Sequence, residues 1–208
     1  TVYCSSLFAY LLTKKELFLR KFMYRFVIIT MYVNAGLIPW YITMKSLGLK
    51  NNFLLYILPT AIGGFYLVLI KTYIEQLPAA LEESAKVDGA TYFKIFMKLI
   101  LPLSKPILAT VAIFSAVNQW NAWQDNFYLV DGKQLLTLQY LLYGYLNTMA
   151  ASAQGVVDIT TAQSKANAIS ADTVKMAISV VTILPIMCVY PLLQKYFVKG
   201  IMLGAVKG

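Results

Sequence analysis

Glu82-Glu83-Ser84-Ala85-Lys86-Val87-Asp88-Gly89-Ala90-Thr91-Tyr92-Phe93-Lys94-Ile95-Phe96-Met97-Lys98-Leu99-Ile100-Leu101-Pro102-Leu103-Ser104-Lys105-Pro106 is a charged island between two long apolar stretches. Connections between neighbouring helices usually take about 2–8 residues. A segment this long is therefore expected to meet a partner. Pro78 suits the first turn of a helix, where its missing N–H would be unpaired anyway. Leu77, Leu81, Ala85 and Asp88 then share one narrow face at helical spacing. Gly89 falls where a helix needs a left-handed residue to stop, which glycine supplies without steric cost. A second helix is expected from about Thr91, with Phe93, Phe96, Met97 and Ile100 as an apolar stripe and Lys94 and Lys98 on another face. Pro102 and Pro106 end it. The reading is helix, glycine turn, helix, the first free to project. An amphipathic helix lying on a lipid surface explains the same pattern.

Outward from the island the chain is apolar. Of its 208 residues 59% are hydrophobic, above the roughly 45–50% of soluble domains, and the mean hydropathy is +0.65. Crossing a bilayer takes about 20 mostly apolar residues. Residues 22–40, 53–70, 107–123 and 176–197 are the expected spans. Residues 1–12 are apolar but too short to span alone, and Thr1 is not an initiator methionine, so the chain is expected to begin inside a helix as an N-terminally truncated piece. No strand alternation competes. The fold class is an all-α, polytopic transmembrane helix bundle forming a single domain.

The net charge is +9, and its distribution matters more than its sum. Lys14, Lys15, Arg20, Lys21 and Arg25 follow the first apolar run; Lys71, Lys86, Lys94, Lys98 and Lys105 surround the island; Lys195, Lys199 and Lys207 close the chain. The alternate segments hold Lys45, Lys50, Lys133, Lys165 and Lys175. Because short cytoplasmic loops carry the excess of Lys and Arg, the loop 71–106 and the tail 198–208 are expected inside, and residues 41–52 and 124–175 outside. Lipid and topology account for the charge without nucleic acid.

There is no histidine, which removes the usual general base and the commonest metal ligand. Cys4 and Cys188 lie in apolar runs without CxxC spacing and read as packing residues. Asp125 and Asp131 flank an external loop with no base nearby, so a catalytic pair has no support. Gly63-Gly64 would let another helix approach closely. Residues 144–172 turn to Gly, Asn, Thr, Ser, Ala and Gln and are expected to form an exposed loop with some helix.

Glu83-Ser84-Ala85, three residues, Gly89, nine residues, Leu99, one residue, Leu101-Pro102 resembles the cytoplasmic EAA loop of ABC importer permeases, whose pattern is EAA, three residues, G, nine residues, I, one residue, LP. Ser84 and Leu99 are mild departures from it. Val87-Asp88-Gly89-Ala90 and the tail Lys199 to Gly208 resemble the carbohydrate-uptake branch, in particular its maltose-type and polysaccharide permeases. The resemblance implies a type I importer permease fold whose first spanning helix is missing here, in a bacterial inner membrane. It implies that the loop 78–102 couples to a separate ATPase through Glu82, Glu83, Ser84, Ala85, Asp88, Gly89, Ala90, Leu101 and Pro102. It also implies a sibling permease and an external sugar-binding protein, with ATP and magnesium held by the ATPase and no cofactor in this chain. No GxxxxGK[ST] is present.

The best candidates for substrate contact are Asn118, Trp120, Asn121 and Trp123, which end the 107–123 run with amides and indoles suited to sugar. An aromatic belt at the membrane interface explains the tryptophans as well. Asn34 and Gln139 are weaker candidates that a neighbouring helix would equally satisfy. The leading function is a sugar-import permease subunit, not an enzyme. The alternative, an ion-coupled transporter acting alone, usually carries ionisable residues within its spans, and residues 53–70, 107–117 and 176–193 hold none.

Overall fold

The structure, a computed structural model, describes residues 1–153, 173 and 176–188. The tail 198–208, residues 189–197 of the last expected span and residues 154–172 of the polar loop lie outside the described residues. All regular structure among the described residues is helical. The elements are α1 (Val2–Thr13), α2 (Arg20–Tyr32), α3 (Leu37–Ser46), α4 (Gly64–Glu75) and α5 (Ala79–Val87). They continue as α6 (Tyr92–Leu103), α7 (Lys105–Asn121), α8 (Gln124–Leu129), α9 (Leu138–Ala153) and α10 (Met176–Cys188). Short 3-10 turns lie at Phe53–Tyr56 and Lys133–Leu135.

Two of the apolar runs are divided. The run 22–40 breaks between α2 and α3: the backbone turns extended at Val33 after α2, and Gly36, at φ +83°, precedes α3 and donates its N–H to Asn34 Oδ1 at 2.9 Å, a conformation that glycine adopts without steric cost. The run 53–70 opens with the 3-10 turn, capped by Asn52 Oδ1 accepting from the Leu54 N–H at 3.0 Å. It becomes helical only from Gly64, after Pro59, which lacks a donor N–H, and the extended Gly63. Among the described residues no single helix is long and apolar enough to cross a membrane. α6 and α7 meet that test together across an 80° bend.

Within α6, Phe96–Ile100 winds as a π turn, with the Leu101 N–H reaching back five residues to the Phe96 carbonyl. Pro102 follows at once. Its ring would clash with the carbonyl four residues earlier, and a widened turn is one way to accommodate a break in the helical ladder.

α1 and α4 run side by side in the same direction. The Gly63 N–H donates to Ser5 Oγ at 3.3 Å near one end, and Lys14 pairs with Glu82 just beyond the other. Ala9, Tyr10 and Leu12 of α1 pack on Leu67, Ile70 and Ile74 of α4, with Ile95, Phe96 and Ile100 of α6 and Val111 of α7 closing the core. The Phe96 ring lies 5.4 Å from that of Tyr10 and meets Tyr3 edge-on at 6.1 Å. Close approach of α2 depends on Gly64, where a Cβ would stand 2.8 Å from Met31 Cγ. α2 otherwise leaves Phe22, Phe26 and Ile29 exposed, as α10 leaves Val180, Leu184 and Met187.

A second, smaller core joins residues 49–56 to residues 126–136, around Leu49, Leu55, Leu129 and Val130, with Trp40 and Met44 of α3 against it. Asn51, at φ +55°, donates its N–H to the Leu129 carbonyl and accepts from the Asp131 N–H at 2.6 Å.

Candidate functional site

α5 stands out because so little covers it. Pro78 occupies the N-cap, and Glu82 near the start with Lys86 in the last turn suits the helix dipole. The helix stops in a Schellman arrangement: the Ala90 N–H reaches the Ala85 carbonyl and the Gly89 N–H the Lys86 carbonyl, both at 3.0 Å. Gly89 has φ +71° and open space around its Cα. Thr91 then accepts the Lys94 N–H on its hydroxyl at 3.4 Å and starts α6. The expected helix, glycine turn and second helix thus occur at the expected residues.

The two faces of α5 differ in kind. Glu83, Ser84, Val87 and Asp88 are exposed, Val87 to 88%, an apolar side chain at the tip. Ala85 and Ala90 pack half-buried against the main core. Glu82, grouped by sequence with the coupling residues, faces inward to Lys14, the two side chains being 20% and 11% exposed. Leu101 packs against the core and Pro102 follows the π turn, so neither extends the exposed face of α5. Leu81 sits at 40% exposure beside a cleft of about 280 Å³ lined by Lys14, Lys15, Arg20, Glu75 and Leu103.

Behind α5 lies a network whose members, the i,i+4 pair Glu82–Lys86 apart, come from separate parts of the chain. Glu82 is held by Lys14 and by Lys86 at 3.4 Å; Lys86 also reaches Glu16 at 3.5 Å, and the Tyr92 hydroxyl donates to Glu16 Oε1 at 2.9 Å. The Lys14 ammonium lies 3.8 Å from the centroid of the Tyr10 ring, and that of Lys86 4.8 Å from Tyr92. Burial pulls the Lys14 pKa down, against the opposing hydrogen bond and charge of Glu82. The Glu16 carboxyl is held below its ordinary range, first by a backbone hydrogen bond and then by Tyr92. The Lys86 pKa is raised, chiefly by its contact with Tyr92.

The residues singled out for substrate contact are dispersed. Asn118 donates to the Tyr66 hydroxyl of α4 at 2.7 Å. Trp120 donates its indole N–H to the Thr182 carbonyl of α10 at 3.2 Å. Trp123 stacks on Tyr143 of α9 at 3.9 Å and 12°, with Phe127 edge-on to both rings, while Asn121 is exposed at the end of α7. Each tryptophan therefore already serves a helix contact. Asn34 caps the α2–α3 break, and Gln139 Oε1 is buried without a hydrogen-bond partner among the described residues.

Residues 3–123 match the family described as "Binding-protein-dependent transport system inner membrane component". The polygalacturonan/rhamnogalacturonan transport system permease protein YtcP of Bacillus subtilis (strain 168) is 36% identical over 208 residues, covering 100% of this chain and 71% of its own length. Protein LplC of the same organism is 38% identical over 201 residues, 96% of this chain and 66% of LplC. A crystal structure of a bacterial ABC transporter that imports the acidic polysaccharide alginate contains a chain that superposes with a TM-score of 0.78 at 32% identity, over 94% of this chain and 69% of that one. This chain thus spans about two thirds to seven tenths of the length of these relatives. With its helical architecture, these matches show that the chain belongs to the family of binding-protein-dependent transport system inner membrane components, as a membrane permease subunit and not an enzyme.

Proposed function

We propose that this chain is one transmembrane subunit of an ATP-driven importer for a sugar or oligosaccharide. Working beside a sibling permease, it receives substrate from an external binding protein and couples to a separate ATPase through α5 and the following turn. ATP and magnesium belong to the ATPase. The observation that carries this reading is α5 itself: a short helix, stopped by a left-handed glycine, presenting Glu83, Ser84, Val87 and Asp88 exposed among the described residues. An exposed apolar tip ringed by polar groups is the composition of a docking element. The excess of Lys and Arg around the island favours a cytoplasmic position for it. Carbohydrate is the substrate class suggested by the relatives, two of which are named for acidic polysaccharides.

The test is reconstitution with the ATPase, the sibling permease and the binding protein, using oligogalacturonides as probe and a neutral oligosaccharide for comparison. Glu83→Lys is expected to lower ATPase association and abolish uptake at normal membrane levels. Normal association and uptake would reduce α5 to a surface helix.

A further inference from the structure

Glu82 stands one residue before the resemblance motif begins at Glu83, on the same helix, yet the two carboxylates face different surroundings. Glu83 is exposed; Glu82 is clamped between Lys14 and Lys86. Lys14 is the first residue after α1, and its ammonium lies over the ring of Tyr10, a core residue. The remaining members tie the same three parts together: Glu16 from the α1–α2 connection, Lys86 from α5 and Tyr92 from the start of α6. A charge pair this secluded is a poor source of stability, because removing two ions from water costs about what their attraction returns. It is a strong source of geometry, since removing Glu82 leaves the secluded Lys14 ammonium without the carboxylate that pairs it.

We propose that Lys14 and Glu82 are a positioning pair that fastens the coupling helix to the inner end of α1, with Lys86, Glu16 and Tyr92 completing the clamp, so that α1 and α5 move as one body. This rests on the reading of α5 as the ATPase-docking helix. The α1 helix packs along α4, so a displacement of α5 pulls directly on the central pair of the bundle. Without the clamp, α5 keeps its links to α4 through Gln76, Leu77 and Pro78 and the small contacts of Ala85 and Ala90 with the core, but among the described residues it loses the charged fastening of its Glu82 face to the end of α1. Glu82 is thus assigned to the inside of the chain and Glu83 to the partner.

The experiment uses the reconstituted importer with oligogalacturonides and reads three quantities: ATPase association, uptake, and uptake per ATP hydrolysed. Lys14→Met and Glu82→Gln are each expected to keep association but lower uptake per ATP about tenfold. The double variant is expected to be no worse than the poorer single, as for residues acting as one unit. Lys14→Arg, which keeps the charge, is expected to stay within about twofold of the parent by retaining the charge-assisted bond. Loss of ATPase association with Glu82→Gln, or losses that multiply in the double variant, would overturn the proposal. A second arm does not depend on coupling: in a Cys4→Ser/Cys188→Ser background, which removes the free thiols, Lys14→Cys with Glu82→Cys is expected to join within one chain through a short bismaleimide. An absent crosslink overturns the clamp itself. A crosslink together with Glu83→Lys that keeps association overturns the docking reading, and the coupling part of this proposal with it.

Discussion

The side-chain amide of Asn126 donates to the Tyr56 hydroxyl, 70 residues earlier in the chain, and the same hydroxyl donates to the Leu135 carbonyl at 2.8 Å. Asn126 also donates to that carbonyl at 3.0 Å and accepts from the Thr137 N–H at 2.8 Å and from the Thr137 hydroxyl. Every donor and acceptor position of the amide is used, and the residue is buried. It holds α8, the 3-10 turn at 53–56 and the start of α9 together.

Asn126→Leu should therefore cost more than its volume suggests. It strands the Thr137 N–H and hydroxyl, and an unsatisfied buried polar group costs about 1–3 kcal/mol. Thermal unfolding in micelles should shift downward, with protease cleavage between 129 and 137 appearing first. A stability equal to the parent would mean water replaces the amide.

At Gly89 the strain is conformational, and among the described residues nothing lies within 4 Å of an added Cβ. Gly89→Ala should cost about 1–2 kcal/mol for an L-residue in left-handed geometry, and Gly89→Asn less, because asparagine visits that region more readily. Gly89→Val adds branching at Cβ and should misdirect α5. Uptake ranked Gly, Asn, Ala, Val at equal membrane level is the expected result; Val matching Ala would remove the turn from the mechanism.

Gly64 presents the opposite case, crowding without strain. A methyl there stands 2.8 Å from Met31 Cγ and 3.6 Å from Val27 Cγ1, so Gly64→Ala should lower the melting temperature in micelles. Overpacking costs typically about 1–3 kcal/mol. Met31→Ala should recover much of the loss when combined with it. No recovery would place the conflict elsewhere than at the α2–α4 contact.

For the tryptophans, the helix contacts decide the expectation. Trp123→Phe should be tolerated, since a ring still lies on Tyr143, whereas Trp123→Ala should reduce membrane yield before it alters sugar preference. Trp120→Phe removes the bond to the Thr182 carbonyl and should cost about 0.5–1.5 kcal/mol. Blot level against uptake separates the two effects: normal level with lost uptake would return these residues to substrate contact.

Acid should loosen the link between residues 50–51 and 131. The Asp131 carboxyl is held below its ordinary range by Lys50 and Asn51, and Lys50 Nζ lies 2.9 Å from it. A depressed carboxylate means the unfolded state binds more protons, so its stabilisation is present above about pH 3.9 and is lost as pH falls through the lower folded value. Trp40 packs against this core, and its fluorescence should report a step below about pH 4. Asp131→Asn should abolish that step; a step that persists belongs to another group.

What the sequence alone determined is what is local along the chain. The helical nature of the chain, the stop at Gly89, the start at Thr91 and the end of α6 near Pro102 depend on a few neighbouring residues, on φ preferences and on a missing N–H. The motif from Glu83 to Pro102 made the family legible as well, because its spacing is itself a local pattern. Tertiary structure decided whatever needs a partner distant in sequence. Glu82 and Glu83 are indistinguishable by composition, and it is Glu82 that meets Lys14, 68 residues away. Asn126 looked like any polar residue of an external loop until Tyr56, Leu135 and Thr137 met around it. Trp120 and Trp123 presented rings suited to sugar, and the fold occupied them with Thr182 and Tyr143. The physical reason is the same each time: periodicity and propensity state which face of a helix is apolar, but a side chain's hydrogen bonds and charges are assigned by whichever helix packs beside it.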